Sequence, residues 1–174
     1  MKKGRFVITG APCTGKTTVI NEFFRQGFYV IEEPSRRPLE ENPKFRDGSA
    51  SNEDVDRLQK IILKIQLKVE ANLPKEETIF FDGGIPSCIA FYKIRGMAPP
   101  MELIDACKNT QYDRVFIMDR LSKYETDGIR LQTEGTSIKI HQLLYDAYFR
   151  FGYKPIRVPV LSPADRAEFI KNNL

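Results

Sequence analysis

The chain has 174 residues, 41% hydrophobic and 29% charged, with a net charge of +4. That length suits one domain with its own core, without metal or disulfide staples. The basic excess is mild and scattered, so it does not indicate a nucleic-acid partner and fits a site for anionic phosphates, and no stretch nears the ~20 apolar residues of a membrane span.

The apolar run after the first five residues is too short for a signal peptide. Residues 5–9 (Arg-Phe-Val-Ile-Thr) predict a short buried strand, followed at once by a glycine-containing loop. A helix is expected from Lys16 to about Gln26, with Gly27 placed to end it. Residues 28–32 read as a second strand, stopped by Glu33 and Pro34. Residues 35–51 are rich in Pro, Ser, Arg and Asn and read as a loop. Ser51 then has the chemistry of a helix cap, with Glu53 and Asp54 in the first turn. Val55, Leu58, Ile62, Ile65 and Val69 recur at helical spacing.

Residues 78–82 (Thr-Ile-Phe-Phe-Asp) predict a third strand ending in a carboxylate. Helices are expected over 86–95 and 100–108, and a fourth strand over 114–118 that leads into Asp119. Residues 120–135 are polar and charged. Ile140, Leu144, Ala147, Tyr148 and Phe151 mark another helix, ended by Gly152, and residues 154–158 a last strand. Ser162 and Pro163 open the final helix as cap and first-turn residue. Apolar strands alternating with helices predict a central five-stranded parallel sheet covered on both faces, the α/β/α three-layer architecture. Cys13, Cys88 and Cys107 are odd in number and lack metal-ligand spacing, which reads as free thiols in a reducing cytoplasm.

Residues 10–17 (Gly-Ala-Pro-Cys-Thr-Gly-Lys-Thr) complete the pattern Gly-x-x-x-x-Gly-Lys-[Ser/Thr], with a strand before and a helix after. Gly10 and Gly15 let the backbone curl so that the loop from Ala11 and Pro12 through Cys13 and Thr14 and into Thr18 wraps phosphate oxygens, with every residue except Pro12 able to turn a backbone N–H inward. Lys16 is placed for the terminal phosphates and the Thr17 hydroxyl for magnesium. ATP or a similar nucleotide with Mg²⁺ is the expected ligand.

Over its whole length the chain resembles the small AAA-like ATPase and kinase domains related to ribosylnicotinamide kinase. These are relatives of the thymidylate and deoxynucleoside kinases. The resemblance rests on residues 10–17, 29–34 with Arg36, 80–86, 124–130 and 152–159. It implies a P-loop nucleoside/nucleotide kinase fold and a kinase acting on a small nucleoside- or nucleotide-like acceptor. It implies that Glu33, of a Glu-Pro pair after the second strand, is the base on the acceptor hydroxyl. Glu32 beside it points to the opposite face of the strand. Asp82, at the end of an apolar strand, is expected near Thr17 and the magnesium. The segment from Asp119 to Arg130 resembles a mobile lid, whose Arg120, Lys123 and Arg130 would close over the transferring phosphate, with Arg120 and Arg130 preferred. By the same resemblance the adenine lies between the lid arginines and the loop around Val158 to Ser162.

The chain departs from these relatives at one point. They carry an arginine after the third-strand carboxylate, where this sequence has Gly83 and Gly84. Arg36, Arg37 and Arg95 are the candidate substitutes. The missing arginine keeps a second reading open, an ATPase or nucleotide switch acting on a protein partner without a small acceptor. A GTPase is disfavoured by the lack of an Asn-Lys-x-Asp motif, and an oligomeric AAA+ machine by the lack of a separate helical lid domain. His141 is expected to be structural, and Tyr145, Tyr148 and Phe149 to be core and helix surface.

Overall fold

The computed structural model describes residues 2–34, 41–46, 49–74, 76–121 and 134–174. The described elements run β1 (Gly4–Thr9), α1 (Lys16–Arg25), β2 (Tyr29–Ile31), α2 (Pro43–Arg46), α3 (Asn52–Ala71), β3 (Thr78–Asp82), α4 (Ser87–Ile94), α5 (Met101–Asn109), β4 (Arg114–Met118), α6 (Glu134–Arg150), β5 (Ile156–Val158) and α7 (Pro163–Asn172).

The five strands form one sheet in the order β2-β3-β1-β4-β5, and every pairing is parallel. The expected five-stranded parallel α/β sheet is therefore present. Its middle strands are apolar on both faces: Phe6, Val7, Ile8, Phe80, Phe81, Phe116 and Ile117 are fully buried. Helices cover both sides, as continuous apolar strands require. One layer is anchored by Phe23 of α1, stacked 3.8 Å from Phe80, with Phe28 edge-on to both rings. On the other, Leu58, Ile62 and Leu63 of α3 pack with Ile89 and Tyr92 of α4.

Helix ends follow the local chemistry of the sequence. Ser51 accepts a hydrogen bond from the Asp54 N–H, and the Asp54 carboxylate answers to the Ser51 N–H, a complete capping box. The Ser51 N–H and hydroxyl, both donating to the Asp54 carboxylate, hold its pKa down at about 2. Ser162 caps α7 in the same way through Asp165 N–H, with Pro163 in the first turn.

Three elements differ from the sequence expectation. α2 lies inside a segment read as loop. α6 starts at Glu134, six residues before the first apolar marker. In α3 the buried stripe is Val55, Leu58, Gln59, Ile62, Leu63, Gln66 and Glu70, whereas Ile65 is 40% exposed. The stripe turns onto polar side chains that hydropathy spacing does not register.

β1 has β3 on one side and β4 on the other. The chain leaves β1 toward one half of the sheet and later crosses to the other. The loop after β1 thus lies where strand order reverses, the crevice in which open parallel sheets hold ligands.

Candidate phosphate site and acceptor cavity

Gly15 has φ +81° and is the residue just before α1. A left-handed backbone there turns the loop into the helix start at no steric cost. Cys13 also has a positive φ, 63°, alone among the described non-glycine residues. Inside the loop, Thr14 Oγ1 donates to the Ala11 carbonyl at 2.9 Å. Lys16 Nζ donates to the carbonyls of Gly10 at 2.9 Å and Ala11 at 3.0 Å. The lysine is therefore held over its own loop, at the positive end of α1. Ala11 and Thr14 are buried, Cys13 and Gly15 are partly so, and Thr17 and Thr18 are exposed in the first turn of α1.

The loop is braced from outside by residues that sequence reading did not single out. Arg166 of α7 is 2% exposed. Its guanidinium donates from Nη1 to Thr14 O at 2.7 Å, from Nε to Pro159 O at 3.0 Å and from Nη2 to Asp119 O at 3.4 Å. Burial alone pushes its pKa down, with Asp119 opposing. Ser137 of α6 reaches Pro12 O at 3.5 Å. No periodicity or motif marks either residue. Both are polar side chains placed by packing against backbone carbonyls.

Asp82 closes β3 opposite Ile8 of β1, and Gly83 N–H continues the ladder to Ile8 O at 2.9 Å. Asp82 is 4% exposed. With Lys16 and Glu33 it lines a cavity of about 530 Å³ that extends from Thr9, Gly10 and Pro12 to α3, α4 and α6. Glu33 faces this cavity half-buried, while Glu32 is exposed. The remaining walls are mainly apolar: Phe45, Val55, Leu58, Ile62, Phe91 and Leu144. Two buried amides join them. Gln66 Nε2 donates to Gly83 O at 3.4 Å. Gln59 is 6% exposed, and its Oε1 has no hydrogen-bond partner among the described residues.

Besides Lys16, the cavity is lined by Lys44, Arg95 and Lys139, and the first two are engaged elsewhere. Arg95 donates to Ala50 O and, at 3.1 Å, to Asn52 Oδ1. Lys44 pairs with Asp54 at 3.3 Å. Arg120 is half-buried beyond β4. Arg130 and Lys123 of the lid-like segment, and Arg36 and Arg37, lie outside the described residues.

The glycine pair after Asp82 has a geometric reason. Gly83 has φ +82°, a conformation costing an L side chain roughly 1–2 kcal/mol. At Gly84 a Cβ would lie 2.9 Å from the Tyr112 ring.

His141 of α6 is half-buried, and its Nδ1 has no hydrogen-bond partner among the described residues. Burial lowers its pKa, partly opposed by Asp119, while Arg157, Arg120 and Lys16 add to the lowering. Cys88 and Cys107 are buried thiols pushed up to about 12, and all three cysteines are free. Among the described residues no helix is long and apolar enough to cross a membrane.

A family model for an AAA domain matches residues 5–166. No curated protein matches the chain. Among solved structures, a deoxyadenosine kinase from M. mycoides with bound dATP is 19% identical with a TM-score of 0.72, over 98% of both chains. The NadR protein in complex with NAD and AMP-PNP is 16% identical with a TM-score of 0.70, and this chain spans 48% of its length. Thymidylate kinase from Candida albicans is 13% identical with a TM-score of 0.63, over 99% of this chain and 92% of its own. At these identities the likeness is one of fold, that of the P-loop kinases.

Proposed function

The chain belongs to the AAA-domain family, and from that premise we propose that it transfers the γ-phosphoryl group of ATP to an uncharged, nucleoside-like acceptor. One observation carries the proposal: a single cavity of about 530 Å³ is lined by Gly10, Pro12 and Lys16 of the phosphate loop, by Glu33 and by apolar walls. That volume falls in the range of small-molecule sites, and a nucleotide switch has no need of it.

The chemistry follows from the lining. ATP phosphates lie against the loop N–H groups and the N-terminus of α1, where Lys16 exchanges its bonds to Gly10 O and Ala11 O for phosphate oxygens. Thr17 and Asp82 would hold Mg²⁺. A hydroxyl and a buried carboxylate are hard oxygen donors that suit this ion. When bound, magnesium neutralises charge on the β- and γ-phosphates. The acceptor hydroxyl attacks the γ-phosphorus, its proton passes to Glu33, and the bond to the ADP oxygen breaks. Arg120 and, from the lid-like segment, Arg130 stabilise the charge on the moving group.

The same lining favours a nucleoside over a nucleotide as acceptor. Of the cations lining the cavity, Arg95 and Lys44 already have partners and are poor seats for an acceptor phosphate, while Lys16 and Lys139 belong to the phosphate loop and to α6, whose Ser137 reaches that loop. Gln59 Oε1 offers an unpaired acceptor for an N–H on a heteroaromatic base, between apolar walls.

Glu33→Gln tests the assignment against a nucleotide switch. Turnover with an acceptor should fall by about 10²-fold or more, the usual contribution of a general base, with ATP affinity kept. Unchanged turnover would remove Glu33 from the chemistry.

A further inference from the structure

Two tyrosine hydroxyls meet consecutive backbone amides just after the candidate metal carboxylate. Tyr148 OH, from α6, accepts from Gly84 N–H at 2.9 Å. Tyr112 OH, from the turn before β4, accepts from Ile85 N–H at 3.0 Å. Each hydroxyl has one proton left to give. Tyr112 gives its own to Glu70 Oε1 at 2.7 Å, where the carboxylate is 6% exposed and faces Arg5 at 3.7 Å. Tyr148 lies 2.8 Å from Ser87 Oγ, which is 3.4 Å from Thr9 Oγ1 at the end of β1.

The chain of contacts therefore runs from the end of β1, beside Gly10, across to the turn behind Asp82. It joins the strand that carries the phosphate loop to the strand that carries the carboxylate. The ring of Tyr112 also fills the space where a side chain at position 84 would go. Satisfying two buried amides needs two acceptors, and a local loop carbonyl or a water could supply each. Here they come from two distant elements, with a buried glutamate behind one of them. That arrangement resists rotation of the turn, and rotation of the turn would re-aim Asp82.

We propose that Tyr148 and Tyr112, the latter anchored by Glu70, are positioning residues that fix the Asp82–Gly83–Gly84 turn relative to the phosphate loop and thereby set the affinity of the site for magnesium–nucleotide. The proposal rests on the reading of Thr17 and Asp82 as the metal ligands.

The test uses Tyr148→Phe and Tyr112→Phe, which keep the buried rings, and Ser87→Ala, which removes the second partner of Tyr148. Amide hydrogen exchange is followed at Gly84 and Ile85. ATP binding is titrated calorimetrically with magnesium and with EDTA. Thermal unfolding confirms that each variant is folded. Exchange should accelerate at Gly84 in Tyr148→Phe and at Ile85 in Tyr112→Phe. The magnesium-dependent gain in ATP affinity should fall by about tenfold, as for other residues that orient a metal ligand, while affinity in EDTA stays at the wild-type value. An equal loss with and without magnesium would mean general damage to the fold and overturn the proposal. So would unchanged exchange with an unchanged magnesium response. Wild-type binding that ignores magnesium overturns the metal assignment, and this proposal with it.

Discussion

The Arg166 guanidinium sits 2.7 Å from the carbonyl oxygen of Thr14, joining the last helix to the middle of the phosphate loop across 152 residues of sequence. The same side chain holds the carbonyls of Pro159 and Asp119. One buried cation thus ties the phosphate loop to the root of the lid-like segment and to the loop after β5. Arg166→Ala leaves three carbonyls without their donor. It should cost roughly 2–4 kcal/mol in urea unfolding, given the penalty for each unsatisfied buried group. It should also weaken ATP binding. Arg166→Lys should recover only part, since an ammonium lacks the planar fork that spans three acceptors. Full recovery by lysine would contradict the three-way tie.

Lys16 carries a second prediction. Its ammonium rests on Gly10 O and Ala11 O and must be released to phosphate. Lys16→Ala should lower ATP affinity by at least about tenfold, roughly 1.4 kcal/mol, in calorimetry. Stability should change little, because the residue is only partly buried. ATP affinity and turnover equal to wild type would falsify the role of the loop.

Two glycines should respond oppositely to alanine. At Gly84 the new Cβ would stand 2.9 Å from the ring of Tyr112, which is 6% exposed and has little room to yield. Gly84→Ala should destabilise by about 1–3 kcal/mol, as overpacked sites do. At Gly135, in the first turn of α6, nothing among the described residues lies within 4 Å of the added carbon. Gly135→Ala should stabilise by about 0.4–1 kcal/mol through the unfolded chain and helix propensity. Thermal denaturation of both variants reads the contrast, and shifts of the same sign would contradict it.

Glu70 gives a pH signature. Burial raises its pKa, and Tyr112, Gln66 and Arg5 only partly oppose this. A raised folded-state value means that the native state holds the proton more tightly. The associated stability is full below the unfolded value of 4.5 and is lost as pH rises through the folded value. Glu70→Gln keeps an acceptor for Tyr112 and does not titrate. The stability of wild type relative to this variant should therefore fall across that window. Urea midpoints that run parallel with pH, or diverge in favour of wild type, would contradict the assignment.

Much of this architecture is legible in the sequence because it is written in local patterns. β1, the loop and α1 follow from an apolar run, two glycines and Lys16-Thr17. The capping residues Ser51 and Ser162 announce their helices. What escapes is set by tertiary packing. The start of α6, with Gly135, Thr136 and Ser137, precedes Ile140, the first apolar marker of that helix, yet Ser137 is 1% exposed against the phosphate loop. Gln59, Gln66 and Glu70 fall outside the apolar series that marks α3, because an amphipathic pattern counts only apolar residues. In the fold they face a cavity and a buried network. The missing arginine at position 83 is visible in the sequence. Its reason, a left-handed backbone followed by a tyrosine ring, is not.

The account turns on an acceptor occupying the cavity between Lys16 and Gln59. The most direct measurement incubates the protein with magnesium and ATP labelled in its γ-phosphoryl group, together with a panel of nucleosides and nucleoside monophosphates, and identifies the labelled products by mass. The account predicts label on a nucleoside, as its monophosphate, with loss of that product in Glu33→Gln. Label appearing only as inorganic phosphate with every acceptor would contradict it.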